Sequence, residues 1–556
     1  MQNIDCLAVT GSDTAFVPIL IVAAVLLVAG VVIALVARKR GLAALALIPL
    51  LFLGVAFTPG AAPALADPCT QLPPGTMPEP SDPCVVDPDA VAEGVSSEPL
   101  GDTYYPDYGN VGYDVQSYHV EFVFDPEQPL LEAVATIVAT ATTDDPLAEF
   151  SFDFETLGSD GEPTLLATDV TVDCAPAEFE HAGRDLTVSP SKAIAPGDDF
   201  AVVVTYSGTP GYVDDVYGDS GWHWLTGGAA LVMGEPASSS AWFPSNAHPL
   251  DKALFSVTGT VPFDPEAADT EQWRVSSNGE PVELDGEAPE GWWTFGWAAP
   301  EPMATYLTTL FIDKFEYTVS EAANGVTIYN SFSPGVSQTV KDRAARTEEI
   351  MLFFENYFGD YPFTTNGGQF TNDSLGYALE TQTRSSYSRN ASLNTIAHEI
   401  AHQWVGDSVT LSTWADMCLN ECLAEYAASW LWSEHTSGTV LDTKYSTTVA
   451  QRKNQPAWWA TPLVDMGAGN EFNDVYTRGS LAIHALRKEM GDDAFFDLLY
   501  RWATEKAGQN VTWAQFEDMV DEVAGRDLGA FMSAWFTSTG VPADEYLYPG
   551  DIPPAP

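Results

Sequence analysis

His398-Glu399-Ile400-Ala401-His402 is a polar pentapeptide set in an otherwise apolar segment. It has the form H-E-x-x-H. On a helix, residues four apart lie one above the other, so both imidazoles can face one ion. Glu399 then falls beside the ion rather than on it, where a general base is wanted. A catalytic zinc takes three protein ligands and keeps a fourth position open. After eighteen intervening residues comes Asn420-Glu421, at the head of the helical-looking stretch Leu419 to Tyr426, and Glu421 is the candidate third ligand. Alone, the pentapeptide also fits a polar turn on a surface helix. The apolar flanks Ile396, Ala397, Ile400, Ala401, Trp404 and Val405 argue for burial instead, and buried imidazoles and carboxylates need a partner.

Further elements stand in fixed order around this core. His402-Gln403-Trp404-Val405-Gly406-Asp407 continues the motif, and Trp414 to Glu421 leads into the third ligand. Val475-Tyr476-Thr477-Arg478-Gly479 lies downstream, and Tyr377-Ala378-Leu379-Glu380-Thr381 upstream. This ordered set resembles the gluzincin aminopeptidases, the aminopeptidase N and leukotriene A4 hydrolase group, over roughly residues 103 to 545. The resemblance implies one zinc ion per chain on His398, His402 and Glu421, with Glu399 as general base. It implies that Tyr476 donates a hydrogen bond to the tetrahedral oxyanion. Glu380 would pair with the α-ammonium of a peptide substrate, and Glu235, in Met233-Gly234-Glu235-Pro236, would help to hold the same end. Glu425, one turn after Glu421, reads equally as a carboxylate orienting a ligand histidine or as a solvated helix residue.

The chain departs from the family in places. The G-x-M-E-N element becomes Tyr377-Ala378-Leu379-Glu380-Thr381, which keeps the glutamate and loses the glycine and asparagine. Tyr377 is positioned to narrow the pocket beside the first side chain. Cys422 replaces the glycine usual after the zinc glutamate.

The 556 residues suggest two to four domains, and a 46% hydrophobic content supplies large cores. With 22 basic and 78 acidic residues the net charge is −56, which repels nucleic acid and gives a strongly hydrated surface. Cys69 and Cys84 bracket a Pro-rich segment and suit a disulfide outside the cell. Cys418 and Cys422 flank Glu421 at helical spacing, for packing or a local disulfide.

Ala15 to Ala37 is an apolar run long enough to span a bilayer, and Arg38-Lys39-Arg40 after it marks a cytoplasmic turn. Leu42 to Phe57 is a second apolar run. With Ala64-Leu65-Ala66 behind, it reads either as the return leg of a membrane hairpin or as a signal peptide cut after Ala66. Leu7-Ala8-Val9-Thr10-Gly11 resembles a sortase signal in an unproductive position.

The expected organisation is α+β and multidomain. Residues 1–66 form a membrane hairpin or signal region, 67–102 an acidic Pro-rich linker, and 103–319 an all-β domain, saddle-like by resemblance. Residues 320–545 form a thermolysin-like zinc catalytic domain, with 546–556 as a tail. Tyr118 to Phe124, Ala133 to Thr140 and Phe200 to Tyr206 alternate as strands. Thr339 to Tyr357 and Ser480 to Ala503 carry a helical period. Relative to the family, the sequence ends at Pro556 without a large helical C-terminal domain.

The expected function is a zinc metallopeptidase outside the cell, held by its N-terminal apolar segments, which removes N-terminal residues from peptides by a zinc-bound water that Glu399 activates. A thermolysin-like endopeptidase would share the zinc set without needing Glu380. A silent surface binding protein on the same scaffold would usually have lost Glu399 or a ligand.

Overall fold

The computed structural model describes residues 94–155, 164–215, 218–284 and 288–553. Contacts group residues 72–281 with 290–556 into one unit, and 1–71 with 282–289 into another. All that follows concerns the first of these. The two apolar runs, Cys69, Cys84 and the Leu7–Gly11 stretch lie outside the described residues. Among the described residues no helix is long and apolar enough to cross a membrane.

Strand alternation carries the first half of this unit. In Tyr113–Asp125, Tyr118, Val120, Phe122 and Phe124 are buried while their neighbours face outward, the period of a half-buried strand. This strand pairs antiparallel with Leu130–Ala141, which pairs antiparallel with Asp199–Gly208. On its other side Lys252–Pro262 runs parallel to it, then Trp292–Ala304 antiparallel. A smaller sheet carries Gly218–Trp224 and Ala230–Met233, joined by a hairpin, with Leu310–Asp313 beside them.

From Glu316 onward a second architecture begins. Its five-stranded sheet runs Glu316–Glu321, Thr327–Phe332, Thr365–Phe370, Ser385–Tyr387, Ala378–Leu379 in space. Thr365–Phe370 is buried throughout and is paired in parallel on both sides, as a central strand covered on both faces must be. The helices follow. The helical period over 339–357 divides into Gln338–Ala344 and Thr347–Phe358, because Arg346 leaves the helical conformation to begin the second. The period over 480–503 divides likewise into Ser480–Met490 and Asp492–Glu505. Gly491, at φ +85°, stops one helix with a conformation that glycine adopts without a Cβ penalty.

A buried carboxylate ties the start of the β region to the helical region. Asp102 accepts hydrogen bonds from the Tyr104 and Tyr105 amides at 2.8 and 3.1 Å, and from Thr413 Oγ1 and the Trp414 amide at 2.7 and 3.2 Å. His248 Nε2 lies 3.3 Å from it. These contacts fix the chain just ahead of the stretch that bears Glu421.

Candidate active site

Three helices build the site. The first, α1, is Leu393–His402, whose N-cap Ser392 accepts the Thr395 amide at 3.0 Å. It buries every residue from Ile396 to His402. The second, α2, is Cys418–Tyr426, and the third, α3, is Ser480–Met490. A single π-helical turn, Val475–Gly479, precedes α3 and carries Tyr476.

Two glycines permit the close approach. At Gly406, φ +135°, a Cβ would stand 2.9 Å from His402 Nδ1. At Gly479 a Cβ would stand 2.3 Å from Cys422 Sγ, so only glycine lets the π turn lie on α2. Cys422 is itself joined to Cys418, which resolves that pair as a local disulfide.

His398 and His402 aim their Nε2 atoms at each other, 3.0 Å apart. Glu421 Oε2 lies 3.0 Å from the first and 3.4 Å from the second. A tetrahedral ion with bonds of about 2.0–2.1 Å needs donor separations of roughly 3.3 Å. Two imidazoles and a carboxylate, all buried at that spacing, fit zinc. Of the remaining imidazole nitrogens, His402 Nδ1 is hydrogen-bonded to the Val405 carbonyl at 3.0 Å, and His398 Nδ1 stands at ion-pair distance, 3.2 Å, from Glu425 Oε2. Burial alone would raise the Glu421 carboxyl, but His402 and His398 beside it hold it well below the usual range.

Glu399 is buried beside the triangle and outside it, and burial pushes its carboxyl up to about 8. Tyr476 donates to Glu421 Oε1 at 3.1 Å. The residue is partly exposed and lines the cleft, and burial with Glu421 nearby raises its hydroxyl well above 10, so it remains a donor. Glu380 and Glu235 line the same cleft, of about 790 Å³. Each has a buried Oε1 without a hydrogen-bond partner, and burial raises both carboxyls. The zinc-ligand candidates therefore meet in one place with Glu399, Tyr476, Glu380 and Glu235, and Glu425 stands beside them.

Three residues near the site had no role assigned from the sequence. Gln403 donates to the Glu380 carbonyl at 3.0 Å and accepts the Thr383 amide at 2.7 Å, so the residue that ends the histidine-bearing helix also fixes the chain at Glu380. Lys252, from the β region, donates to the Asp407 and Ser408 carbonyls at 3.0 and 2.9 Å. His223 lines the cleft from the smaller sheet. Gln403 adjoins the motif and could have been suspected; the other two have no local signal.

Comparison with known proteins agrees with this geometry. Residues 365–535 match the peptidase family M1 domain. Aminopeptidase N of Haemonchus contortus is 26% identical over 56% of this chain and 35% of its own length. Aminopeptidase N of Lactococcus lactis subsp. lactis is 27% identical over 54% of this chain and 38% of its own. The chain thus spans little more than a third of these relatives. An M1 zinc metallopeptidase from Deinococcus radiodurans has a similar fold, with a TM-score of 0.70 at 24% identity over 80% of this chain and 99% of that one. A mutant of that enzyme has been solved with a Tyr-Ser-Ala substrate. Motif order, fold and the geometry of the triangle together are those of a peptidase family M1 domain over residues 365–535.

Proposed function

We propose that this chain is a zinc-dependent aminopeptidase acting on peptides outside the cell. The observation that carries the reading is the pair of carboxylates, Glu380 and Glu235, whose Oε1 atoms are buried without a hydrogen-bond partner in the cleft that holds the His398, His402 and Glu421 triangle. Buried acids in such proximity repel one another and call for a cation. A peptide's α-ammonium supplies one, and it fixes the first peptide bond near the ion.

Zinc, when bound by His398, His402 and Glu421, supplies Lewis acidity toward the scissile carbonyl and makes water a better nucleophile at neutral pH. Glu399 takes the proton from the attacking water and passes it to the leaving amine. Tyr476 turns its hydroxyl from Glu421 to the developing oxyanion, a donor already in place when charge appears. Glu380 and Glu235 hold the ammonium by charge-assisted hydrogen bonds, worth about 1.5–3 kcal/mol each.

The matched comparison of free and N-acetylated peptides tests this. Wild type should cleave the free peptide and leave the acetylated one, and Glu380→Ala should lower kcat/KM for the free peptide by about tenfold or more with zinc content unchanged. Equal cleavage of both peptides by wild type would replace this reading with an endopeptidase.

The N-terminal apolar runs around Arg38-Lys39-Arg40 support display on the outer face of a membrane, or secretion if the chain is cut after Ala66. Cell fractionation with N-terminal sequencing of the mature protein decides between them: a soluble species starting at Asp67 is the secreted form.

A further inference from the structure

Tyr377 stands where the family's motif has glycine, and the cleft shows what the larger side chain does there. Its hydroxyl lies 3.0 Å from His223 Nε2, and the two rings meet edge to face with centroids 6.0 Å apart. Both residues line the cleft, yet they come from different parts of the fold. His223 belongs to the strand Gly218–Trp224 of the β region, and Tyr377 to the loop before the strand Ala378–Leu379. The loop is held at a second point by the same hairpin. Asp373 accepts from Thr226 Oγ1 at 2.6 Å through one oxygen and from the Thr226 amide at 3.1 Å through the other. Gly376, at φ +94°, sets the turn that delivers Tyr377. Burial pushes the His223 imidazole down to about 4, so at neutral pH it is uncharged and can accept the tyrosine's O–H.

We infer that Tyr377 and His223 form a hydrogen-bonded bar across the cleft that selects peptides whose N-terminal residue has a small side chain. The inference rests on the proposed seating of the α-ammonium at Glu380 and Glu235. Glu380 is three residues after Tyr377, so their Cα atoms are no more than about 11 Å apart. Tyr377 and His223 line the same cleft as Glu380 and Glu235, so a first residue seated at the two carboxylates shares its space with the tyrosine ring. Tyr377 limits the space directly. His223 is a positioning residue, which acts by fixing the ring.

The test is selectivity among alanyl, leucyl, phenylalanyl and arginyl anilides. Wild type should favour alanyl over phenylalanyl and arginyl by at least about tenfold in kcat/KM. Tyr377→Gly should raise the phenylalanyl-to-alanyl ratio by about tenfold or more. Tyr377→Phe keeps the ring and loses only the hydroxyl, so it guards against misfolding of the glycine variant. It should shift the ratio in the same direction by less. His223→Ala should match Tyr377→Phe, and the double variant should exceed neither, because both remove one contact. A ratio unchanged in Tyr377→Gly and Tyr377→Phe, or a wild type that prefers large side chains, overturns the bar. If wild type cleaves no free-amine substrate, the aminopeptidase reading itself falls and takes this inference with it.

Discussion

Glu425 Oε2 stands 3.2 Å from His398 Nδ1, on the side of the ring away from Glu421. From sequence this carboxylate read equally as a solvated helix residue; the structure places it against a histidine of the triangle. A carboxylate there fixes the tautomer and orientation of the ring and makes the opposite nitrogen a better ligand. Glu425→Ala should weaken zinc binding by about 10–100-fold, read by competition with a chromophoric chelator. Glu425→Gln keeps an acceptor and should lose less. Unchanged affinity in both would return Glu425 to the solvated surface.

Glu399→Gln separates chemistry from metal binding. The carboxylate lies outside the ligand triangle, so zinc stoichiometry should stay at one per chain. Hydrolysis should fall by about 10²–10⁴-fold, the usual worth of a positioned general base. Metal analysis beside single-substrate kinetics checks it, and loss of zinc would make Glu399 structural.

Tyr476→Phe removes a single hydroxyl. Because the ring remains and Glu421 keeps its histidine partners, zinc affinity should change little. A donor aimed at transition-state charge affects kcat rather than KM, and its loss should cost about 10²–10³-fold in kcat. A rise in KM with kcat intact would mean that Tyr476 only helps to bind substrate.

Asp153 gives a pH prediction away from the site. It is fully buried, accepts the Gly109 and Ala247 amides at 3.0 and 2.9 Å through one oxygen, and burial pushes its carboxyl up to about 7. The folded state therefore favours the protonated acid. That stability is fully present below the unfolded pKa near 4 and is lost as pH rises through about 7. Asp153→Asn cannot ionise. The stability of the variant relative to wild type, followed by thermal melts, should rise between pH 4 and about pH 7 by at most about 1.4 kcal/mol per pH unit, and level off above that. A difference independent of pH would show that Asp153 ionises without cost.

His398 and His402 were legible as a pair because helical periodicity puts residues four apart on one face, with Glu399 beside them, and Glu421 because it heads a second helical-looking stretch. The strands around Tyr118 and Ile137 were legible for the same kind of reason, since alternation is a local record of one buried face. Family resemblance, rather than spacing, pointed to Tyr476, Glu380 and Glu235. The tertiary structure decided what no local pattern encodes. It put Glu235 in the cleft with Glu380, His223 against Tyr377 and Glu425 against His398, and it folded Asp102 under Thr413 and Trp414. Each of these relations joins elements far apart in the chain. Which elements face each other follows from how their apolar faces pack together, and that packing is a property of the whole assembled core.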